Sequence, residues 1–193
     1  MLLKKWTTVC VTLLALAVLA LLFAYSGLYN VGADRPHTAP VEALLTLLRQ
    51  RSIERRAARI AVPALDDPAR VREGAEHYSA MCVDCHLAPG ITVSEIRVGL
   101  LPRPPNLAQV SIDPAAAFWA IKHGIKASGM PAWGQTHDDE EIWNIVSFVH
   151  QLPHMTPDQY RAITTAGVED ADAGDEHHHE HGHAHAHAPA ENK

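Results

Sequence analysis

The chain has 193 residues, 47% of them hydrophobic and 20% charged, with a formal net charge of −6. That length suits one ordinary domain with appendages. The charge is confined, because residues 168–193 hold seven Asp/Glu against one Lys and everything before them sums to zero. No region has the basic surplus that phosphate neutralisation requires, which disfavours a nucleic-acid binder. Three cysteines do not make a disulfide framework, and no period of about 20–50 residues recurs, which excludes a repeat array.

Lys4 and Lys5 precede an uncharged run from Trp6 to Val31. The stretch Trp6–Tyr25 is close to the ~20 residues with which a helix crosses a hydrocarbon core. Trp6 at one end and Tyr25 and Tyr29 at the other suit the two interfaces, where amphipathic rings favour the headgroup layer. Residues 1–33 are therefore expected to be a signal-anchor segment, single-pass, with the lysine-bearing end in the cytoplasm. The rival is a cleavable secretory signal, for which Val31-Gly32-Ala33 ahead of Asp34 is a passable cleavage site. Both readings export the rest of the chain.

Residues 34–64 form a basic connector. Val41, Leu44, Leu45, Leu48 and Ile60 fall near one face at helical spacing, with Arg49, Arg51, Arg55, Arg56 and Arg59 towards the far end. Two readings stand side by side: a helix on the membrane-water boundary with arginines on anionic headgroups, or a spacer helix whose leucines pack on the folded domain. Pro63 ends it, and Asp66-Asp67-Pro68 looks like the start of the next helix.

Cys82-Val83-Asp84-Cys85-His86 is the decisive feature. Two thiols three positions apart lie on one side of a helical turn with a histidine directly after the second. That geometry lets both thiols bond covalently to the vinyl groups of a haem while the imidazole reaches its iron. A redox dithiol favours a preceding strand and a following helix, and a zinc site needs a second ligand pair; no cysteine follows Cys85. The second axial ligand is expected to be Met130, an unbranched thioether on the Gly/Pro-rich loop Lys126–Gly134. His123 is the competitor and Met155 a weaker one, while Met81 adjoins Cys82 on the same helix. Asp113-Pro114 begins a middle helix running to about His123, with aspartate as cap and proline in the first turn.

Around these residues the chain resembles the class I c-type cytochromes, particularly membrane-anchored bacterial mono-haem ones, over about residues 68–152 within an expected domain 65–167. Gly74 and Tyr78 look like the first-helix glycine and aromatic of that fold, where the missing side chain lets the last helix cross closely. That last helix would be Asp139–Leu152, with Ile142, Trp143, Ile145, Val146 and Val149 on its apolar face and Phe148 at the crossing. Asp138 with Glu141 gives its capping box. Pro105-Asn106-Leu107 is similar to the family's Pro-x-Leu segment, which implies that the Pro105 carbonyl accepts the proximal histidine's second ring proton. The fold class implied is all-α: a cytochrome c-like haem domain preceded by a transmembrane helix and an amphipathic connector helix.

One covalent haem c with His86 and Met130 as axial ligands leaves no open site, so the expected role is a single-electron carrier and not an enzyme. The location implied is the periplasmic face of a bacterial inner membrane. The partners implied are the membrane and redox proteins: a quinol oxidoreductase, a dehydrogenase or a terminal oxidase. Residues 62–167 carry seven basic and twelve acidic side chains, which points mildly to a basic partner surface. Alternatives are the haem subunit of a dehydrogenase or oxidase complex, a metal-handling or sensing protein, or an open-site haem enzyme lacking the methionine ligand. The metal-handling idea comes from residues 168–193, expected to be a disordered acidic tail in which His177, His178, His179, His181, His183, His185 and His187 bind Cu, Ni or Zn, or else simply a soluble pH-dependent tail.

Overall fold

The computed structural model describes residues 2–174, so the seven tail histidines from His177 to His187 lie outside the described residues. It divides into two units, Met1–His37 and the chain from Thr38 onward. The first is built on helix α1 (Leu2–Tyr25). At about 1.5 Å per residue its apolar stretch Lys4–Tyr25 is long enough to cross a bilayer, and its side chains are exposed. Length and apolar exposure together make α1 a candidate membrane span.

The second unit is helical, and among the described residues it contains no strand, only a single bridge between Ala88 and Ile91. Its elements are α2 (Ala39–Ala57), α3 (Pro68–Met81), α4 (Val83–His86), α5 (Glu95–Gly99), α6 (Pro114–His123), α7 (Asp139–Gln151) and α8 (Pro157–Gly174), with 3-10 turns at Trp133–Gln135 and Leu152–His154. Helices α3, α6 and α7 each start on a side-chain cap, whereas α2 has none. Asp67 accepts from Ala69 N, Asp113 from Ala116 N at 2.9 Å, and Asp138 with Glu141 closes a full capping box. These caps satisfy amides that have no partner inside the helix.

The core is the crossing of α3 on α7. Ile142, Ile145, Val146 and Val149 recur at helical spacing and are all buried, with Phe148 and Leu152 at 0% exposure. Burying each such side chain contributes about 1.5–3 kcal/mol. Closest approach falls at Gly74, where a Cβ would stand 1.9 Å from the Asn144 carbonyl oxygen. Tyr78 packs its ring 5.2 Å from Phe148, and Phe118 of α6 stacks on Trp143 at 4.3 Å. Asn144, nearly buried, donates to Glu73 at 2.6 Å and accepts from Arg70 at 3.4 Å, so its amide stays hydrogen-bonded inside the crossing.

Asp139–Leu152 is not the last helix. The chain turns at Leu152–His154 and α8 packs back on α3, bringing Tyr160 into the core 6.3 Å from Phe148. Its signal in the sequence is weak because, among the described side chains of α8, only Tyr160 and Ile163 join the core, too few for a periodic stripe. The helical backbone of α8 also runs to Gly174, seven residues into the stretch 168–193.

Candidate functional site

The site grows from the end of α3. Cys82 caps that helix, and its backbone carbonyl accepts from His86 N at 2.8 Å, so Cys82, Cys85 and His86 share the single turn α4. No disulfide joins the thiols, and both are half-buried. Burial pushes the Cys82 thiol up to about 12, with Cys85 beside it adding to the rise. Cys85 is raised by burial and by Asp84. A redox dithiol needs the opposite, a lowered pKa that populates thiolate, so the local electrostatics do not favour disulfide exchange.

His86 is held at both ends. Its backbone carbonyl accepts from Leu107 N at 3.1 Å, and its Nδ1 lies 3.1 Å from Pro105 O. A carbonyl only accepts, so Nδ1 carries the proton and Nε2 keeps a free lone pair. Burial lowers the His86 pKa, the Pro105 bond works the other way, and the Arg97 guanidinium lowers it further. The result favours the neutral imidazole, the form that ligates a metal. Arg97 also braces the segment by donating from Nε to Pro104 O at 3.2 Å.

Two residues that the sequence did not flag shape this turn. Leu87 follows His86 with φ 60° and ψ −178°, a conformation that costs a non-glycine residue on the order of 1–3 kcal/mol. It is held there by burial, by its own amide donating to Val83 O at 2.8 Å, and by the buried Tyr78 hydroxyl donating to its carbonyl at 2.5 Å. Ser94 caps α5 and donates to Asp84 O, tying α5 to the haem-motif turn. Tyr78→Phe is expected to lower stability by about 1–3 kcal/mol, the cost of leaving a buried carbonyl short of its donor. A urea midpoint unchanged to within about 0.5 kcal/mol, at constant slope, would mean that this hydroxyl does not hold the turn.

Met130 is presented by the segment after α6. Gly124 ends that helix at φ 64°, and a Cβ there would stand 2.7 Å from the Pro131 carbonyl carbon, so the chain folds back tightly on it. Ile125 N donates to Met130 O at 3.2 Å, Ser128 Oγ donates to Ile125 O at 2.7 Å, and Met130 N donates to Ser128 Oγ at 3.1 Å. The Ser-x-Met spacing is the sequence signal of this turn. Met130 is half-buried against the same apolar cluster as Cys82. Met81 and Met155 also touch that cluster, and Met155 stands between the turn after α7 and the start of α8. His123 is exposed, with its ring 5.0 Å from Trp119.

The donor set fits a covalent haem: two unpaired thiols, an imidazole with one free lone pair, and a thioether on a hydrogen-bonded turn, all half-buried. An all-α domain built around such a turn is that of a c-type cytochrome. Residues 69–149 match the model of the family described as "Cytochrome C oxidase, cbb3-type, subunit III", and that stretch is a cytochrome c domain. No curated protein and no solved structure matches the chain. That domain supports a haem-based electron-transfer role for residues 69–149, and an N-terminal apolar helix of transmembrane length stands ahead of it.

Proposed function

We propose that this protein is a membrane-tethered carrier of single electrons, its one haem c attached through Cys82 and Cys85 and ligated by His86 and Met130. The observation that carries the reading is the His86 Nδ1 contact to Pro105 O on a C-x-x-C-H turn. Haem iron ligated by imidazole and thioether takes up and gives back one electron with little change in coordination. Here Pro105 fixes the orientation and tautomer of His86, and the Ser128-braced turn holds the thioether in place. Cys82 and Met130 both pack against one apolar cluster. α1 inserts in a bacterial inner membrane with Lys4 and Lys5 cytoplasmic and the domain periplasmic. Tethering raises the effective concentration of the domain towards redox partners in the same membrane.

The test is an optical spectrum of holoprotein made in cells that attach c-type haem, with and without Met130→Ala. A weak thioether-to-iron band in the far red of the oxidised protein, absent from the variant, supports the assignment. The variant's potential is expected to drop by a sizeable part of the roughly 0.8 V range that axial ligands span. A wild type without that band, binding carbon monoxide readily when reduced, would instead have an open sixth position and would not be a simple carrier.

A second reading has its own observation. The matching family's description names an oxidase subunit, so this chain is alternatively the cytochrome subunit of a membrane oxidase complex. Stable co-purification with integral-membrane partners after mild solubilisation favours that reading, and a monomeric solubilised protein favours the stand-alone carrier.

A further inference from the structure

Helix α2 carries two features on one stripe that neither the haem site nor the core uses. At helical spacing Val41, Leu44, Leu45 and Leu48 share a face with Ser52, Arg55, Arg56 and, in the turn beyond the helix, Arg59. The leucines of the first half of that stripe are uncovered: Leu44, Leu45 and Leu48 are 44–58% exposed, and Leu47, on another face, is exposed as well. Packing against the domain is left to the other end, where Ala57 is buried, Ile60 joins the core cluster, and α2 meets α6. Exposed leucines at four of five consecutive positions are costly in water.

The second half of the stripe borders a cavity of about 430 Å3 between α2 and α6. Arg55, Arg56, Arg59, Lys122 and His123 line it around Trp119, and no carboxylate belongs to its lining. Arg56 is already placed, donating to Ser52 Oγ at 2.7 Å and lying 5.6 Å over the Trp119 ring. Lys122 is paired with Asp139 at 2.5 Å, and the nearby Glu54 is engaged by Arg51. Arg55 and Arg59 have no ion-pair partner among the described residues. Two uncompensated guanidiniums at the mouth of such a cavity suit a phosphate group, which accepts paired N–H donors.

We propose that α2 docks on an anionic phospholipid bilayer, with its leucine stripe in the acyl boundary and its arginine cavity on a lipid phosphate. This rests on the membrane-tethered reading above and goes beyond it, because it assigns the connector a lipid site of its own. Three observations select the bilayer. Uncovered leucines and unpaired arginines share one face of α2, so a surface laid along that face meets both. The charge is complementary to anionic headgroups. Only residues 26–38 separate α2 from the membrane-length helix α1, which confines α2 to the neighbourhood of any bilayer that α1 enters. Docking would restrain the haem domain to one orientation at the membrane surface, where a free linker would let it swing.

The experiment uses full-length holoprotein reconstituted in vesicles of phosphatidylcholine alone or of phosphatidylcholine mixed with phosphatidylglycerol. Hydrogen exchange is followed on peptides covering residues 39–60. Exchange is expected to slow about tenfold with phosphatidylglycerol present, each arginine near an anionic surface contributing roughly fivefold. Arg55→Gln with Arg59→Gln, and separately Leu44→Ser with Leu48→Ser, should abolish the slowing while the haem spectrum is unchanged. Equal exchange in both vesicle types overturns the proposal. So does slowing that glycerol phosphate reproduces in phosphatidylcholine vesicles, which would make the cavity a soluble phosphate-ester site. Slowing that depends on protein concentration and not on lipid would mean self-association and also overturns it. Resistance of the chain to alkaline extraction from the vesicles reports on the α1 tether separately, so failure of the tether and failure of the docking are distinguishable.

Discussion

Gly74→Ala is expected to cost the domain more than about 3 kcal/mol and to remove most of its cooperative unfolding transition. The added methyl would sit 1.9 Å from the Asn144 carbonyl oxygen, 2.5 Å from its carbon and 2.9 Å from Phe148 Cβ. Two of those atoms are backbone of α7, so no rotamer change relieves the clash and the helices must move apart. Separation would loosen Tyr78, Phe148 and Tyr160 together and leave Asn144 without its close-packed surroundings. Overpacking usually costs about 1–3 kcal/mol, and this contact is at the severe end because the partner cannot give. Against a total stability of about 5–15 kcal/mol for a domain, the loss would show as a collapsed denaturation midpoint and a poor yield of holoprotein. Gly99→Ala is the control, since nothing lies within 4 Å of a Cβ there, and it should be neutral to within about 0.5 kcal/mol. If both variants unfold at the same denaturant concentration, α3 and α7 do not cross as closely as described.

Cys82→Ser combined with Cys85→Ser should remove all haem that survives acid–organic extraction, while each single variant keeps a haem held by one thioether bond. The two thiols share one turn, so each would be able to hold the haem by a bond of its own, with His86 as the iron's ligand. Burial pushes the Cys82 thiol up to about 12, which disfavours the thiolate that disulfide exchange needs. A denaturing gel stained for haem peroxidase activity reads the outcome directly. A wild-type chain carrying no covalent haem, made in a host competent to attach it, would return the C-x-x-C pair to the dithiol or metal-site readings.

Much of this site was legible in the order of residues, because covalent haem attachment is local chemistry. The spacing in Cys82–His86 is one helical turn wherever it occurs, and caps such as Asp113-Pro114 and Asp138 with Glu141 act within their own helix. The membrane-length run at α1 is likewise a property of composition. What was not legible depended on atoms distant in sequence. Leu87 holds its positive φ with the help of its burial and of Tyr78, nine residues earlier, which reaches its carbonyl. Tyr160 is an ordinary surface-compatible tyrosine until the turn at Leu152–His154 delivers it to Phe148. The leucines of α2 fitted equally well a helix packed on the domain and one lying on lipid. Their exposure shows that these leucines do not pack on the domain, where Ala57 and Ile60 at the other end do.

The sequence by itself therefore determined the helical class, the haem motif and the helix of transmembrane length, since periodicity, capping and thiol spacing act over a few neighbouring residues. Only the tertiary structure decided that Pro105 O stands 3.1 Å from His86 Nδ1, that α8 closes the core, and that the connector's cations gather around Trp119. Each of those depends on the angle at which α3, α6 and α7 pack, and that angle is set by side-chain volumes and by the one missing side chain at Gly74.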